Sequence, residues 1–202
     1  MSNTPLGWAA KNGHEAVVEI LLRRSDIDPN KSDYRGRTPL SCAVCCGHEG
    51  VVKLLLGRDD VNPDEPDQYG YTPLQLAASR GHEGVVKLLL RRDDVNPNKP
   101  DVDGQTPLLC AAYFGHGGTA KILLERGDVD PNKSDHRGRT PLWYATRDGY
   151  EAVVRILLGR DDVDPNKPDD KGRTPLKRAA ENGHLGVIAL LRPPTPATRG
   201  VA

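Results

Sequence analysis

The tripeptide Thr-Pro-Leu recurs along the chain at a constant interval of 34 residues, and this period limits the possible folds more than any other feature. Alanine and glycine columns keep the same register, with Ala9 and Gly13 in the first copy. A fixed period of this size is typical of arrays in which one small unit stacks on the next. It argues against a doubly wound sheet or a barrel. The copies begin near Thr4, Thr38, Thr72, Thr106, Thr140 and Thr174.

Each unit is predicted to contain two short helices. In the first copy Thr4 can cap the first helical turn, and Pro5 suits the first helical position because it has no N–H to satisfy. Gly13 permits the left-handed backbone that ends a short helix. The residues after it, including Val18 and Leu21, have the apolar spacing of a second helix. Two such helices cannot bury their apolar sides alone, so neighbouring units must share one core.

A long polar connection follows the second helix of each unit. It contains a proline that stops helical geometry, and then an aspartate and a glycine at the spacing of a tight turn. In the first connection these residues are Pro29, Asp33 and Gly36. We therefore predict that each connection projects as a hairpin-like loop.

The order of these motifs, TPLxxAA, then GH, then VVxLLL, resembles the ankyrin repeat family over residues 1–192. The resemblance implies a mostly α fold, an ankyrin-repeat α-solenoid of paired antiparallel helices with hairpin-like connections. The repeats also look like those of filamentous fungi, where such arrays often end larger signalling proteins. The period is one residue longer than the usual ankyrin period of about 33. The family histidine after Thr-Pro-Leu is replaced by Gly7, Ser41, Gln75, Leu109, Trp143 and Lys177.

The two ends of the array are predicted to differ. Residues 1–192 form the array, and residues 193–202 form a disordered tail because Pro193 and Pro194 stop the last helix and no apolar period follows. The N-terminal edge is expected to be open, since the first copy has no obvious polar capping substitution. In the sixth copy Arg178 interrupts an otherwise mostly apolar column, which resembles a solvent-facing terminal cap. We expect the array to be the C-terminal part of a longer ancestor.

Charge and hydropathy argue against several functional classes. Lys plus Arg and Asp plus Glu both number 28, so there is no basic excess for nucleic-acid binding. No apolar run approaches the ~20 residues that span a bilayer, and no signal peptide is recognisable. We therefore expect an intracellular protein, cytoplasmic by default, without membrane contact. Phosphate-binding loops and nucleophile motifs are also missing from the sequence, so we predict neither an enzyme nor a cofactor.

Histidine and cysteine residues could suggest a metal site. Stacked helices lie about 8–10 Å apart, whereas zinc holds imidazole nitrogens at about 2 Å, so successive histidines of one column cannot share an ion. Cys42 is expected to face the core, while Cys45 and Cys46 lie at the variable end of their helix. We predict buried or half-exposed thiols, with a redox or metal role as the alternative. The histidines of the column are His14, His48, His82, His116 and His184.

Columns that vary between copies are free to carry recognition, since the shared columns build the scaffold. By resemblance to the family, the hairpin tips and the exposed end of each first helix line one concave face. Aromatic and arginine side chains, which dominate binding hot spots, recur at these positions. The predicted partner-binding residues are Tyr34, Arg35, Tyr69, Tyr71, Arg80, Asp103, Tyr113, Phe114, Arg137, Trp143 and Arg147. The alternative is that Trp143 and Phe114 pack between repeats.

Three functional hypotheses follow. The first is a non-catalytic, monomeric scaffold that binds an unidentified protein partner through the concave face, as the recognition part of a larger signalling protein. The second is a structural spacer, or a repeat fragment without a specific partner, which the near identity of the copies favours. The third is an enzyme, whose site would have to span several repeats.

Overall fold

A computed structural model describes residues 4–192, and its helices lie in six consecutive pairs. No strand is present in this part of the chain, so the predicted mostly α fold is confirmed. The first helices of successive pairs stack in one row and the second helices in another. The helices are α1 (Pro5–Lys11), α2 (Glu15–Leu22), α3 (Pro39–Cys45), α4 (Glu49–Leu56), α5 (Pro73–Arg80), α6 (Glu83–Leu89), α7 (Pro107–Tyr113), α8 (Gly117–Leu124), α9 (Pro141–Asp148), α10 (Glu151–Leu158), α11 (Pro175–Glu181) and α12 (Leu185–Leu191).

The predicted signals set the ends of the first helix of each pair. The Thr4 hydroxyl accepts a hydrogen bond from the Gly7 N–H at 3.0 Å, and every later Thr-Pro-Leu threonine caps its helix in the same way. The glycine after each first helix has a positive φ, for example 72° at Gly13. Helices of seven or eight residues are not stable alone in water, so stacking must supply their stability.

One continuous apolar core runs through all six pairs. The Thr-Pro-Leu leucines of the first five pairs are at most 1% exposed, and alanine and valine columns beside them are fully buried. Because each repeat contributes the same few side chains, the core has one layer per repeat and grows by stacking. Cys42 and Cys110 belong to the buried residues, as predicted for Cys42, whereas Cys46 is exposed.

The connections form hairpin-like loops, and single backbone hydrogen bonds link each loop to the next. Asp33 closes its own loop, because its carboxylate accepts the backbone N–H groups of Arg35 and Arg37 at 2.8 and 3.0 Å. The Arg35 carbonyl then accepts the Gln68 N–H of the next loop at 3.0 Å. The three following loops repeat this link. The loops are therefore linked more sparsely than the strands of a sheet.

An asparagine ladder joins the bases of neighbouring loops. The Asn132 side chain accepts the Asp164 N–H at 2.8 Å and donates to the Asp162 carbonyl at 2.5 Å. Asn30 and Asn98 make the same pair of bonds. At Asp64 the ladder loses its donor: Oδ2 accepts the Asn96 N–H at 2.9 Å, while Oδ1 is buried with no partner in residues 4–192.

Arginines after the second helices connect the repeats on the other edge. Arg58 donates to the Leu22 carbonyl of the preceding repeat at 2.5 Å, and it is also paired with Asp60. Arg92, Arg126 and Arg160 repeat both contacts. These arginine–aspartate turns therefore anchor one repeat to the next.

The ends of the array differ partly as predicted. Trp8, Val17 and Ile20 of the first helix pair are 54%, 45% and 62% exposed. Arg178 was expected to face solvent, but its side chain is only 18% exposed because the guanidinium lies over the ring of Trp143 at 5.0 Å. The predicted tail at 193–202 lies outside the described residues. Within those residues, no helix is long and apolar enough to cross a membrane.

Candidate functional site

A second, small core lies beside the main one in repeats four and five. Leu109, Trp143 and Tyr144 are its buried members, and Tyr113 packs against them half-buried. Trp143 is 2% exposed, and its indole N–H donates to the Arg173 carbonyl of the next repeat at 3.2 Å. Two repeats earlier, Gln75 of the same column donates to the Gln105 carbonyl at 2.6 Å. The residue after Thr-Pro-Leu thus ties two of the repeats to the next loop, although it is never a histidine here.

Four arginines surround the ring of Trp143. The guanidinium carbons of Arg139, Arg147, Arg173 and Arg178 lie 5.0–5.8 Å from the ring centroid. Contacts at this distance are attractive because the ring face carries negative charge density. Trp143 therefore supports a set of arginines rather than offering its own surface.

Carboxylates fix these arginines in place. Asp135 binds Arg139 through Nη2 at 2.6 Å, and it also accepts the Tyr144 hydroxyl at 2.9 Å. Burial acts to raise the pKa of Asp135, but the hydrogen bonds from Arg139, Arg137 and Tyr144 outweigh it and hold that pKa below its usual value. Burial and the bond to Asp135 raise the pKa of Tyr144, so its hydroxyl stays a donor.

Arg147, near the end of α9, is held in a comparable way. Its Nε and Nη2 donate to the two oxygens of Asp148 at 2.7 and 2.5 Å. Its guanidinium also lies 5.1 Å from the Tyr113 ring and 4.8 Å from the Tyr144 ring. A charge fixed by both a carboxylate and aromatic faces loses little further side-chain entropy when a ligand binds.

These side chains line a concave cavity of about 730 Å³ across repeats three to five, which we call the central groove. Its walls come from α5, α7 and α9 and from the hairpin loops that precede them. The lining residues are Tyr71, Leu76, Ser79, Arg80, Gln105, Cys110, Tyr113, Phe114, Arg139, Tyr144 and Arg147.

Five of the predicted partner-binding residues come together in the central groove: Tyr71, Arg80, Tyr113, Phe114 and Arg147. Phe114 is 50% exposed, and its ring lies edge-on to Tyr113 with the centroids 4.7 Å apart. Of the two alternatives left open by the sequence, exposure applies to Phe114 and packing between repeats to Trp143. The expectation that Trp143 itself contacts a partner is thus corrected by its burial.

The other predicted residues lie on hairpin tips, away from the lining of the groove. Tyr34 and Tyr69 are 60% and 55% exposed, and Arg35, Asp103 and Arg137 are also exposed. The guanidinium of Arg35 lies 5.3 Å from the Tyr34 ring. Among the described residues, neither Arg35 nor Arg137 has an ion-pair partner.

Sequence reasoning missed three of the groove's lining residues that shape its chemistry. Arg139 follows a hairpin glycine, as several other loop arginines do, while Tyr144 and Cys110 lie in a column that is mostly apolar. The signal that could have found Arg139 is the Asp135–Arg139 spacing, which recurs at Asp33–Arg37 and Asp169–Arg173.

The described residues contain no cluster of three or more potential metal ligands. Four histidines of the column instead bind backbone: His184 Nε2 lies 2.8 Å from the Arg147 carbonyl oxygen of the preceding repeat, and His48, His82 and His116 make equivalent contacts. Burial raises the pKa of Cys42 to about 11 and that of Cys110 to about 12, so both are poor nucleophiles at neutral pH.

Solved structures of known proteins share this fold. The crystal structure of EF0377, an ankyrin repeat protein, superposes with a TM-score of 0.86 at 25% identity, covering 95% of this chain and 98% of that chain. The ankyrin repeat domain of Bcl-3, described as a unique member of the IkappaB protein family, gives 0.84 at 26% identity, with 94% and 85% covered. A domain from Acinetobacter baumannii AYE gives 0.83 at 26%, with 93% and 95% covered.

No curated protein matches the chain. A family model described as ankyrin repeats (3 copies) matches residues 1–67, 58–135 and 127–197, which together span nearly the whole sequence. The Thr-Pro-Leu period, the paired helices and these matches establish that the chain belongs to the ankyrin repeat family.

Proposed function

We propose that this chain binds a protein partner through the central groove and acts as the recognition part of a larger signalling protein. The ankyrin repeat family is a non-catalytic protein–protein interaction module. The observation that carries the proposal is the exposed ring of Phe114 beside Tyr113 and Arg147, both of which are fixed by their neighbours.

Pre-organisation favours binding over a spacer role. A spacer needs stacked helices and a continuous core, and the shared columns supply both. It has no need of a half-exposed phenylalanine at the mouth of a concave cavity. Aromatic and arginine side chains held in one geometry are the features that concentrate binding energy at interfaces.

The test is affinity capture from a cell lysate with the intact chain and two alanine variants. Phe114→Ala removes the exposed ring from the groove, and Tyr34→Ala removes an equally exposed ring from a hairpin tip outside it. Both variants must keep the melting temperature of the parent within a few degrees.

We expect a captured protein that is retained by Tyr34→Ala and lost by Phe114→Ala. Equal retention by the two variants would move the site away from the central groove. Capture of nothing by the parent chain would favour the spacer. Light scattering of the purified chain tests the accompanying proposal that it acts as a monomer.

A further inference from the structure

The charge of the central groove suggests what kind of segment enters it. Arg80, Arg139 and Arg147 line the cavity, and no carboxylate does. Asp135 and Asp148 pair with Arg139 and Arg147 from outside the lining, so the uncompensated positive charge of the groove is that of Arg80. An occupant that offers no acceptor would bury the remaining free N–H groups of these arginines at a cost in affinity.

Two of the arginines keep donors available after they have bound their own carboxylates. Arg139 uses Nε and Nη2 for Asp135, and Arg147 uses Nε and Nη2 for Asp148. Within residues 4–192 the Nη1 atom of Arg139 has no hydrogen-bond partner and is not among the polar atoms sealed from solvent, while the five-donor guanidinium of Arg147 makes one further bond, to the Tyr113 side chain. Both side chains therefore present unfilled N–H groups in fixed positions.

Arg80, the third arginine that lines the central groove, lies on α5. It is exposed at the end of α5 and forms no ion pair or side-chain hydrogen bond with the described residues. Its charge is therefore free to meet a carboxylate of a partner, whereas the paired arginines supply directional donors beside it.

Apart from the polar Ser79 and Gln105, the rest of the lining is apolar or aromatic. Leu76, Tyr71 and Tyr113 are half-buried, and Phe114 is half-exposed. A cavity of about 730 Å³ accommodates a few side chains rather than a broad domain surface. An extended segment with an apolar side chain next to an acidic one matches both parts of the wall.

We propose that the central groove binds an extended acidic peptide segment of a partner protein, with a carboxylate near Arg80 and Arg147 and a neighbouring apolar side chain against Phe114 and Tyr113. This inference rests on the proposed function, because it specifies the partner of the same groove. It adds that recognition depends on the sign of the partner's charge.

A random peptide display library, selected on the intact chain, tests this directly. We expect the enriched peptides to carry Asp or Glu next to an aromatic or aliphatic residue. The best peptide and its counterpart with Asp→Asn and Glu→Gln changes are then compared by fluorescence anisotropy, and we expect the amide version to bind roughly tenfold more weakly.

Matched variants test whether the preference for the acidic peptide arises at Arg80. Arg80→Gln is expected to weaken the acidic peptide by about five- to tenfold and to leave the amide peptide unchanged. The control is Arg91→Gln, which removes an exposed arginine from a depression between α4 and α6. It should leave both affinities as they are.

The outcomes separate the two proposals. Peptides that are neutral or basic, and that lose binding in Phe114→Ala, would overturn the acidic specificity while the groove stays a protein-binding site. An acidic peptide insensitive to Arg80→Gln would also overturn it. If no peptide is enriched, or if binding is indifferent to Phe114→Ala, both the specificity and the proposed function fail.

Discussion

Repeat two and repeat five use the same loop-closing ion pair but build different surfaces on it. Arg37–Asp33 and Arg139–Asp135 have nearly equal exposure, 22% and 3% against 20% and 1%. Above the pair, repeat two has Ser41 and Cys42, whereas repeat five has Trp143 and Tyr144. The small residues leave the ion pair as a part of the scaffold. The aromatic pair extends it into a platform that carries the groove arginines.

The largest expected effect comes from removing that platform. Trp143→Ala should lower the free energy of unfolding by about 3–4 kcal/mol, because it empties a buried site and releases the arginines stacked on the ring. Ser41→Ala at the same column of repeat two should cost about 1 kcal/mol or less, since it removes one hydroxyl contact to Thr38. Urea titrations followed by circular dichroism measure both. Equal losses would mean that the aromatic platform adds nothing beyond the shared scaffold.

The next effect concerns the aspartates themselves. Asp135→Asn should cost about 2 kcal/mol and Asp33→Asn about 1 kcal/mol, because Asp135 also accepts the Tyr144 hydroxyl. The folded-state pKa of both carboxylates lies below the usual value, since hydrogen bonds outweigh burial. Their stabilisation is therefore present above the unfolded pKa of about 3.9 and is lost as the pH falls through the folded pKa.

Unfolding titrations of the parent and both variants at several pH values check this. The gap between parent and Asp135→Asn should be widest at neutral pH and narrow in acid. A gap that widens below pH 4 would contradict the assignment.

A smaller effect of opposite sign is expected at Asp64. This aspartate lies at the ladder position that Asn132 occupies two repeats later. Asp64→Asn restores the missing donor toward the Asp94 carbonyl and should stabilise the fold by about 1 kcal/mol at pH 7. Burial raises the pKa of Asp64, and Asp94 adds to this, while the Asn96 N–H and Lys99 oppose it.

Because the folded pKa of Asp64 lies above the unfolded one, the parent loses stability as the pH rises between the two. The advantage of Asp64→Asn should therefore shrink as the pH falls to about 4 and below. Thermal melts across this range measure it. A constant advantage at all pH values would show that the charge of Asp64 is irrelevant and that only the amide donor matters.

The smallest effect on stability belongs to the groove's exposed ring. Phe114→Ala should change the free energy of unfolding by about 0.5 kcal/mol, because half of the ring already contacts solvent. Tyr34→Ala at a hairpin tip should do the same. A loss of several kcal/mol in Phe114→Ala, measured by urea titration, would instead make Phe114 a packing residue.

The helix ends and the loop turns could be predicted because their signals are local. A threonine cap, a proline at the first helical position and a glycine with positive φ each act within a few residues. Whether Trp143 and Arg178 are buried or exposed could not be predicted from such local signals. The two side chains lie in neighbouring repeats and bury each other, so the outcome depends on a pair of columns rather than on either one.

A pairing between a glycine of one repeat and a glutamate of the preceding repeat is also visible in the sequence. A side chain at Gly84 would collide with the Glu49 carboxylate of the preceding repeat, and Gly50, Gly118 and Gly186 face a glutamate in the same way. The fourth copy has Gly117 in place of the glutamate, and the fifth has Ala152 in place of the glycine. Such compensation appears only when successive copies are compared as neighbours and not as independent samples of one consensus.

The bonds between repeats reach only to the adjacent repeat. Within the described residues no side-chain hydrogen bond joins positions more than 37 apart in the chain, and the central groove is lined between Tyr71 and Arg147. The residues that line it thus come from one uninterrupted stretch of sequence, whereas many pockets are assembled from distant segments. Moved into another array of the same period together with Asp148, Arg173 and Arg178, which contact Arg147 and Trp143, this stretch would carry its own supports with it.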